Sequence, residues 1–509
     1  MKYVKKYRTI LVALASGVLL FLSFPANNLF PLAWVALVPL IYLLPYQTPP
    51  RAFLTGFLAG FISYLGILYW LFPMLHFNTG SLWQAAVAFI ALCAYCALYM
   101  GLWAVIVRRT RSTSVIRFSL FAAAAWVSLE YVRTYALGGF PWALLGYSQW
   151  KFLPLIQLAQ YSGVYGVSFL IIFFAAGLSQ FLRTKRWANI TGLIGAMIII
   201  IMSGYILLIK NSFIPPPPYI KAAVIQGNID QYKKWDAAFE NEILDTYAKL
   251  AQKAAKYQPD IIIWPETAVP GFLPADAKLY GWLSNLARET NTYNLVGAPF
   301  NDGGTRFYNA SFLFGPYGEI LGWHRKTHLV PFGEYVPFRS LLSRWFGVLN
   351  RLGDFYAAKD PIVLSVKSVL WGTTICSENF FGSKTARLVR NGAQVLANQT
   401  NDAWFFKTAA ADQHFVMNVF RAVENRRMVV VSGNTGVSGV IEPSGKITHR
   451  AAPFTTTYFV SQISPLRGLT FYTRWGDLAA WICIVITIIA LFHALYYRRK
   501  FRHQLKEKL

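Results

Sequence analysis

Eight stretches of this chain are apolar over a length that matches, or nearly matches, the width of a lipid bilayer: 9–24, 29–45, 52–73, 82–107, 118–136, 162–182, 187–209 and 478–497. A hydrocarbon core about 30 Å thick is crossed by roughly 17–25 helical residues, so the pattern predicts seven spans before a large polar region and one after it. Composition agrees. The chain is 55% hydrophobic and 14% charged, against about 45–50% and about 25% for a soluble globular protein. Intrinsic disorder, a collagen-like repeat and a small disulfide-stapled scaffold are excluded.

The formal net charge of +26 suggests a nucleic-acid partner until it is divided along the chain. Residues 211–474 carry 27 Lys and Arg against 19 Asp and Glu, whereas the rest carries 21 against 3. Most of the excess therefore flanks apolar segments, where it sets membrane orientation and leaves no reason to expect nucleic acid. Lys2, Lys5, Lys6, Arg8, Arg51, Arg108, Arg109, Arg111, Arg117, Arg183, Lys185, Arg186 and the tail from Arg498 to Lys508 fall on one side, while Lys151 stands nearly alone on the other. By the positive-inside rule both termini are cytoplasmic and 211–474 faces outward. The first apolar stretch follows a basic start as a signal peptide would. No small-residue cleavage site stands out between Ser23 and Asn27, so it reads as an uncleaved anchor.

Four prolines, Pro215 to Pro218, predict a stiff linker over 211–218 between a membrane domain at 1–210 and an outer domain at 219–474; the last span and a basic tail occupy 475–509. In the outer domain, short β-branched or apolar runs (Ile220 to Ile225, Ile261 to Trp264, Asn294 to Gly297, Ala310 to Phe314, Val369 to Ile375, Gln394 to Ala397, Met428 to Ser432) alternate with amphipathic segments such as 237–257 and 412–426. This is an α/β pattern about 250 residues long, one domain's worth.

Cys376 is the only cysteine of that outer domain, since Cys93, Cys96 and Cys483 lie in apolar stretches. It has no disulfide partner in its own domain, which leaves a small buried hydrophobe or a nucleophile. Cys93 and Cys96 have CxxC spacing inside an apolar helix and are read as packing. The surroundings of Cys376 favour the nucleophile. Val369 to Ile375 is a strand running into a turn at Cys376-Ser377-Glu378; Ile261 to Trp264 is a second, broken by Pro265 and followed by Glu266; a third element carries Lys326 and runs to Glu334. Three strand ends thus offer a thiol, a carboxylate and an ammonium. A shielded carboxylate can take the thiol proton, and an ammonium can offset the thiolate and donate to an oxyanion, together with a backbone N–H such as that of Ser377.

Glu266 in Trp-Pro-Glu-Thr, Lys326 eight residues before Glu334, Cys376 in Ile-Cys-Ser-Glu and the run Asn401-Asp-Ala-Trp-Phe405 together resemble the nitrilase, or carbon–nitrogen hydrolase, superfamily. Added to the span pattern, Gln226-Gly-Asn-Ile229, Trp235 and Gly139-Phe-Pro-Trp142, the resemblance narrows to the apolipoprotein N-acyltransferase family and covers essentially the whole chain. It implies a multi-pass α-helical membrane bundle carrying an αββα sandwich, in the bacterial inner membrane with the catalytic domain periplasmic. It implies a ping-pong reaction from a phospholipid acyl donor, through a cysteine thioester, to the α-amine of a diacylglyceryl-apolipoprotein. By position it assigns Cys376 as nucleophile, Glu266 as general base and Lys326 as oxyanion donor, with Trp235, Glu334, Ser377 and Glu378 in support. No cofactor and no metal are expected. The family often carries Tyr directly after the nucleophile; Ser377 stands there in this chain, which removes a ring and keeps the backbone donor.

The membrane frame points to the same substrates without the resemblance. A hydrolase of soluble amides has no use for eight spans, whereas a two-chained donor and a lipidated acceptor must meet the thiol at the bilayer. Phe140, Trp142, Tyr147, Trp150 and Phe152 are expected at that interface. The rival readings are a membrane-tethered nitrilase or amidase, a transporter with a ligand-binding outer domain, and a papain-like protease with His414 or His449 as base. His324 and His328 are expected to be solvated. Glu130 and Arg133 either neutralise each other or, as charges within a span, serve a function, and Arg421, Glu424, Arg426 and Arg427 are expected to form a salt-bridged helix face. For Trp235 the alternative to a supporting role is ordinary core.

Overall fold

The computed structural model describes residues 2–109, 114–212, 219–301, 303–345 and 353–507. The chain divides into two compact units: one of Met1–Phe72, Ala85–Leu207 and Asp477–Leu509, the other of Pro73–Gln84 and Leu208–Gly476. The tetraproline linker lies outside the described residues.

Among the described residues, five helices are long and apolar enough to cross a membrane: Pro49–Ile67, Leu82–Arg109, Val115–Gly138, Ala159–Thr184 and Ile190–Ser212. Three apolar helical segments are shorter, Tyr7–Ser23, Phe30–Tyr46 and Leu478–His493. The stretch expected as a continuous second span is broken into Phe30–Leu32, Ala33–Ala36, Val38–Leu43 and Leu44–Tyr46. Pro31, Pro39 and Pro45 supply the reason, because each lacks an N–H and crowds the preceding turn. The stretch expected as the third span likewise stops at Ile67, and a separate helix, Leu71–Thr79, follows. Gly56 lets Pro49–Ile67 meet Leu82–Arg109 closely, since a Cβ there would lie 2.6 Å from the Met100 carbonyl oxygen. Ser128 Oγ and Thr487 Oγ1, 3.0 Å apart, tie the C-terminal helix to Val115–Tyr135.

Two expectations for this unit need correction. Glu130 and Arg133 do not form a salt bridge. The Glu130 carboxylate accepts the Leu145 N–H at 2.7 Å, and Arg133 donates to the carbonyls of Phe140, Trp142 and Ala143, so the two brace the 140–145 segment. That segment also draws aromatics inward: Trp142 and Tyr147 are buried, with Trp142 packed on Trp70 at 4.8 Å between ring centroids, while Phe140, Trp150 and Phe152 stay partly exposed. The described side chains of Cys93, Cys96 and Cys483 are buried and free, as packing predicts.

The second unit is built on two sheets. Its strands are β1 (Ile220–Gln226), β2 (Ile261–Ile263), β3 (Leu273–Pro274), β4 (Tyr293–Asn301), β5 (Tyr308–Phe314), β6 (Ile320–Arg325), β7 (Val363–Val366), β8 (Val369–Ile375), β9 (Val395–Thr400), β10 (Val429–Gly433), β11 (Gly439–Ile441), β12 (Ile447–Arg450) and β13 (Thr457–Ile463). One sheet runs β13-β1-β2-β4-β5-β6, with β3 added beside β4; the other runs β12-β11-β10-β9-β8-β7. Each has a parallel centre, β1-β2-β4 and β8-β9-β10, and antiparallel edges. All seven strands expected from the sequence are present.

Both faces of the central strands are apolar, which is why they read as runs rather than alternations. In β1, Ala222 and Val224 enter the core between the sheets, with Ile261, Ile263, Leu295, Trp371, Val395 and Val430. Ala223 and Ile225 face helices α1 (Glu240–Ala255) and α2 (Ala277–Thr290), which contribute Ile243, Tyr247, Leu250, Leu283 and Leu286. Asp276 caps α2 by accepting the Leu279 N–H at 2.9 Å. Helices α3 (Gly382–Arg390) and α4 (Ala410–Asn425) cover the second sheet, completing four layers. Polar pins cross between the sheets. Gln399 Nε2 on β9 donates to the carbonyls of Trp264 and Leu295, and Ser432 Oγ on β10 donates to those of Ile225 and Ile263, which locks the register of one sheet on the other.

The expected salt-bridged face on α4 is paired but not solvated. Arg421 meets Glu424 at 2.9 Å with both side chains fully buried, and Arg427 is spent on the carbonyls of Ala393, Asn425, Arg426 and Gly468. Except for Asp412, α4 is buried along its whole length, which its mixed polarity conceals.

Candidate active site

The parallel strands of both sheets end at one edge, and the chain turns sharply there. Cys376 follows β8 with φ +50°, a left-handed conformation that costs a residue with a Cβ about 1–2 kcal/mol. The turn is held by what surrounds it: Asn398 Nδ2 donates to the Cys376 carbonyl at 3.3 Å, and the Glu378 carboxylate accepts the Ile375 N–H at 2.9 Å. Glu266 follows β2, one residue before Thr267, also left-handed at φ +47°. Gly297 on β4 admits this turn, because a Cβ there would meet the Pro265 carbonyl oxygen at 2.3 Å and Glu266 Cα at 2.8 Å.

Lys326 comes immediately after β6. Its ammonium donates to Glu334 Oε1 at 2.9 Å, and Val330 N–H holds the other Glu334 oxygen at 2.8 Å. Asn309 on β5 joins the carboxylates, with Nδ2 at 2.7 Å from Glu266 Oε1 and 3.3 Å from Glu334 Oε1. Glu378 links the lysine's strand end to the cysteine's. One of its oxygens accepts Thr327 N–H and Oγ–H at 2.7 and 2.6 Å, and the other accepts Ile375 N–H and faces His324 Nε2 at 3.5 Å. His324 is therefore buried rather than solvated, as the sequence had suggested. Because its Nδ1 accepts the Ile362 N–H, its Nε2 carries the proton and donates to Glu378. His328 is partly buried against Phe381, with 4.0 Å between ring centroids.

Burial sets the electrostatics. It raises the Glu266 carboxyl above the usual carboxylate range, an effect opposed by Lys326 and reinforced by Glu334. It pushes the Cys376 thiol well above its ordinary value, reinforced by Glu266 and opposed by Lys326. Burial would lower the Lys326 ammonium, but Glu334, Cys376 and Glu266 outweigh it and hold the group protonated. Burial would also raise Glu378, yet its bonds from His324, Thr327 and Ile375 bring it down to about 2. The resting site thus holds a neutral thiol beside a carboxyl of elevated proton affinity and a fixed cation, a set suited to moving a proton from sulfur to carboxylate as the sulfur attacks.

Of the supporting residues, Trp235 is half exposed, which excludes the core reading. The Ser377 hydroxyl is buried and has no hydrogen-bond partner among the described residues. Sequence reasoning missed Lys234, which is fully buried with an ammonium that has no hydrogen-bond partner among the described residues; burial brings it down to about 8, opposed by Glu266. It also missed Asn309, whose only signal is an amide inside an apolar strand. His414 turns its ring nitrogens to Asp402, Thr400 and Asn379, and Thr400 rather than His414 hydrogen-bonds the thiol, unlike a papain-like base. Pro73–Gln84 joins this unit unexpectedly: Phe77 packs on Tyr232 at 4.2 Å and Phe406 at 5.7 Å between ring centroids.

Two family models match in tandem, the apolipoprotein N-acyltransferase N-terminal domain over residues 16–177 and carbon-nitrogen hydrolase over 221–467. Apolipoprotein N-acyltransferase of Geobacter metallireducens is 37% identical over 97% of this chain and 96% of its own length. The chain belongs to the apolipoprotein N-acyltransferase family. The enzyme of that name from Azotobacter vinelandii is 33% identical over 96% of this chain and 95% of its own. Among solved structures, an amidase of the nitrilase superfamily from Nesterenkonia AN1 covers 52% of this chain and 97% of its own, with 16% identity and a TM-score of 0.40.

Proposed function

We propose that this protein transfers a fatty acyl group from a phospholipid to Cys376 and from there to the N-terminal α-amine of a diacylglyceryl-cysteine in an apolipoprotein. The observation that carries the reading is the meeting of Glu266, Lys326, Glu334 and Cys376 at one strand edge of a chain in this family. As Sγ attacks the ester carbonyl, Glu266 takes the thiol proton, and the oxyanion is held by Lys326 Nζ and the Ser377 N–H. The tetrahedral intermediate collapses to a thioester, and Glu266 returns the proton to the departing lysophospholipid alkoxide. The lipoprotein amine then attacks the thioester, Glu266 takes its proton, and the thiol leaves as the amide forms. Glu334 positions Lys326, Glu378 fixes the spacing of the Lys326 and Cys376 turns, and Trp235 presents an exposed ring for an apolar portion of substrate.

Both substrates live in a bilayer, and the eight apolar helical stretches supply one. We take all eight as spans, with the basic loops cytoplasmic and the α/β unit periplasmic at the inner membrane.

The test is intact-mass spectrometry after incubation with phospholipid and no acceptor. The mass should rise by one fatty acyl group, neutral hydroxylamine should remove it, and an added diacylglyceryl peptide should discharge it as amide. Cys376→Ser should prevent accumulation, and Cys93→Ala, Cys96→Ala and Cys483→Ala should not. An adduct that persists in Cys376→Ala, or sequential kinetics, overturns the mechanism.

A further inference from the structure

Beside the thiol lies a buried polar chain that the mechanism above does not use. Thr400, the last residue of β9, has its hydroxyl oxygen 3.7 Å from Cys376 Sγ, 3.2 Å from Asp402 Oδ1 and 3.4 Å from His414 Nδ1. His414, on α4, has Nδ1 at 2.7 Å from Asp402 Oδ1 and Nε2 at 3.1 Å from Asn379 Oδ1. All four of these residues other than the cysteine are buried.

The hydrogen-bond network fixes where the protons are. Asn398 Nδ2 is committed to oxygens of Thr374 and to the carbonyl of Cys376, so Asn398 Oδ1 is the acceptor for Asn418 and Asn379. Asn379 then uses its Nδ2 on Asn398, which turns its Oδ1 toward His414. The imidazole thus faces an amide oxygen on one side and a carboxylate on the other. His414 bridges Asp402 and Asn379 through its two ring nitrogens, which fixes the ring beside the Thr400 hydroxyl. The Thr400 hydroxyl is within reach of both Asp402 and sulfur and has one proton to place on either. A neutral thiol is a weak acceptor and a thiolate a strong one.

We propose that the Thr400 hydroxyl donates a hydrogen bond to Cys376 Sγ as the thiol ionises, and that the buried His414–Asp402 pair positions it for that purpose. At rest the proton lies on Asp402. When sulfur becomes negative it swings across, and Asp402 keeps its contact with His414. Thr400 touches the reacting atom; His414 and Asp402 are positioning residues. The proposal rests on Cys376 being the nucleophile of the reading above.

Its test does not require acyl transfer. The full-length enzyme in detergent is alkylated with iodoacetamide across a pH series, and modification of Cys376 is followed by peptide mass spectrometry. Thr400→Val, which removes the hydroxyl and keeps the shape, should move the midpoint upward by about one pH unit or more, the size of one hydrogen bond to a charged group. Thr400→Ser should restore it, and His414→Gln should also move it upward. If the valine variant does not fold, Thr400→Ala against Thr400→Ser gives the same comparison. An unshifted midpoint in both hydroxyl-free variants, or a serine variant as displaced as they are, overturns the proposal. Failure of the acyl-transfer reading would appear instead as normal alkylation with no thioester.

Discussion

Glu378→Gln is the substitution for which the structure gives the most definite magnitude. The carboxylate is 2% exposed and accepts from four donors, two on each oxygen. An amide has one accepting oxygen. Whichever way it turns, its NH₂ faces either Thr327 N–H and Oγ–H or Ile375 N–H and His324 Nε2–H, and two donors oppose each other. The carboxyl lies at about 2 instead of its ordinary 4.5, and such a difference corresponds to about 3 kcal/mol of folding stability. The sign follows from the depressed value. The stabilisation is fully present above the unfolded value and is lost as pH falls through the folded one.

Wild type and Glu378→Gln should therefore differ by a constant amount above about pH 5.5 and converge between about pH 4.5 and 2. For a domain near 250 residues, 3 kcal/mol is roughly 6–12 °C in the midpoint of thermal unfolding, readable by tryptophan fluorescence in detergent. Acylation of Cys376 should fall as well, because the Lys326 and Cys376 turns lose their common tie. A glutamine variant as stable as wild type at neutral pH, or a gap that persists undiminished at low pH, would refute the reasoning.

Lys326→Arg should lose about 10²–10³ in the rate of Cys376 acylation, close to the loss in Lys326→Ala, because a planar guanidinium cannot occupy the place of a compact ammonium; near-normal rates would mean that only long-range charge matters. Glu334 raises Glu266, so in Glu334→Gln the acid limb of the acylation rate should move to lower pH while the maximum rate drops, and an upward move would contradict the assignment of that limb to Glu266. A membrane-impermeant thiol probe should label a cysteine introduced at 303 or 304 from outside intact inner-membrane cells stripped of the outer membrane, and never one at 114; the reverse pattern would discard the periplasmic orientation.

The parts of the site that the sequence made visible are those bound to a local signal. Cys376, Glu266 and Lys326 each follow an apolar run that ends in a turn, so strand-end placement was readable before any contact was known. What stayed hidden depends on contacts made far along the chain. His324 alternates with exposed Trp323 and partly exposed Arg325 on an edge strand, and nothing local says that Glu378, fifty-four residues on, receives it. The charges of α4 look like a solvated face, but α3 and the segment after Gly468 cover them. Pro31, Pro39 and Pro45 interrupt the 29–45 stretch because each lacks the N–H that a continuous helix needs, which apolar length alone does not register.

For the acyl transfer proposed above, the electrostatics of the cluster argue for an order of events. Glu266, Glu334, Lys326 and Cys376 share one edge, with both carboxyls facing the Lys326 ammonium and Glu266 also feeling the buried Lys234. Expelling the thiol proton to solvent would add a further negative charge to a site already rich in carboxylate, where burial magnifies the repulsion. Passing the same proton to Glu266 leaves the total unchanged and removes the carboxylate that most opposes the thiolate. Ionisation and base protonation are thus one step here, not two, unlike a resting thiolate–imidazolium pair. The ammonium of Lys326 then faces a single developing charge, first on sulfur and next on the carbonyl oxygen, and its attraction is greatest when the tetrahedral intermediate forms. In the proposed reaction, this is how a thiol that burial keeps neutral at rest would become the nucleophile once an ester carbonyl is in place.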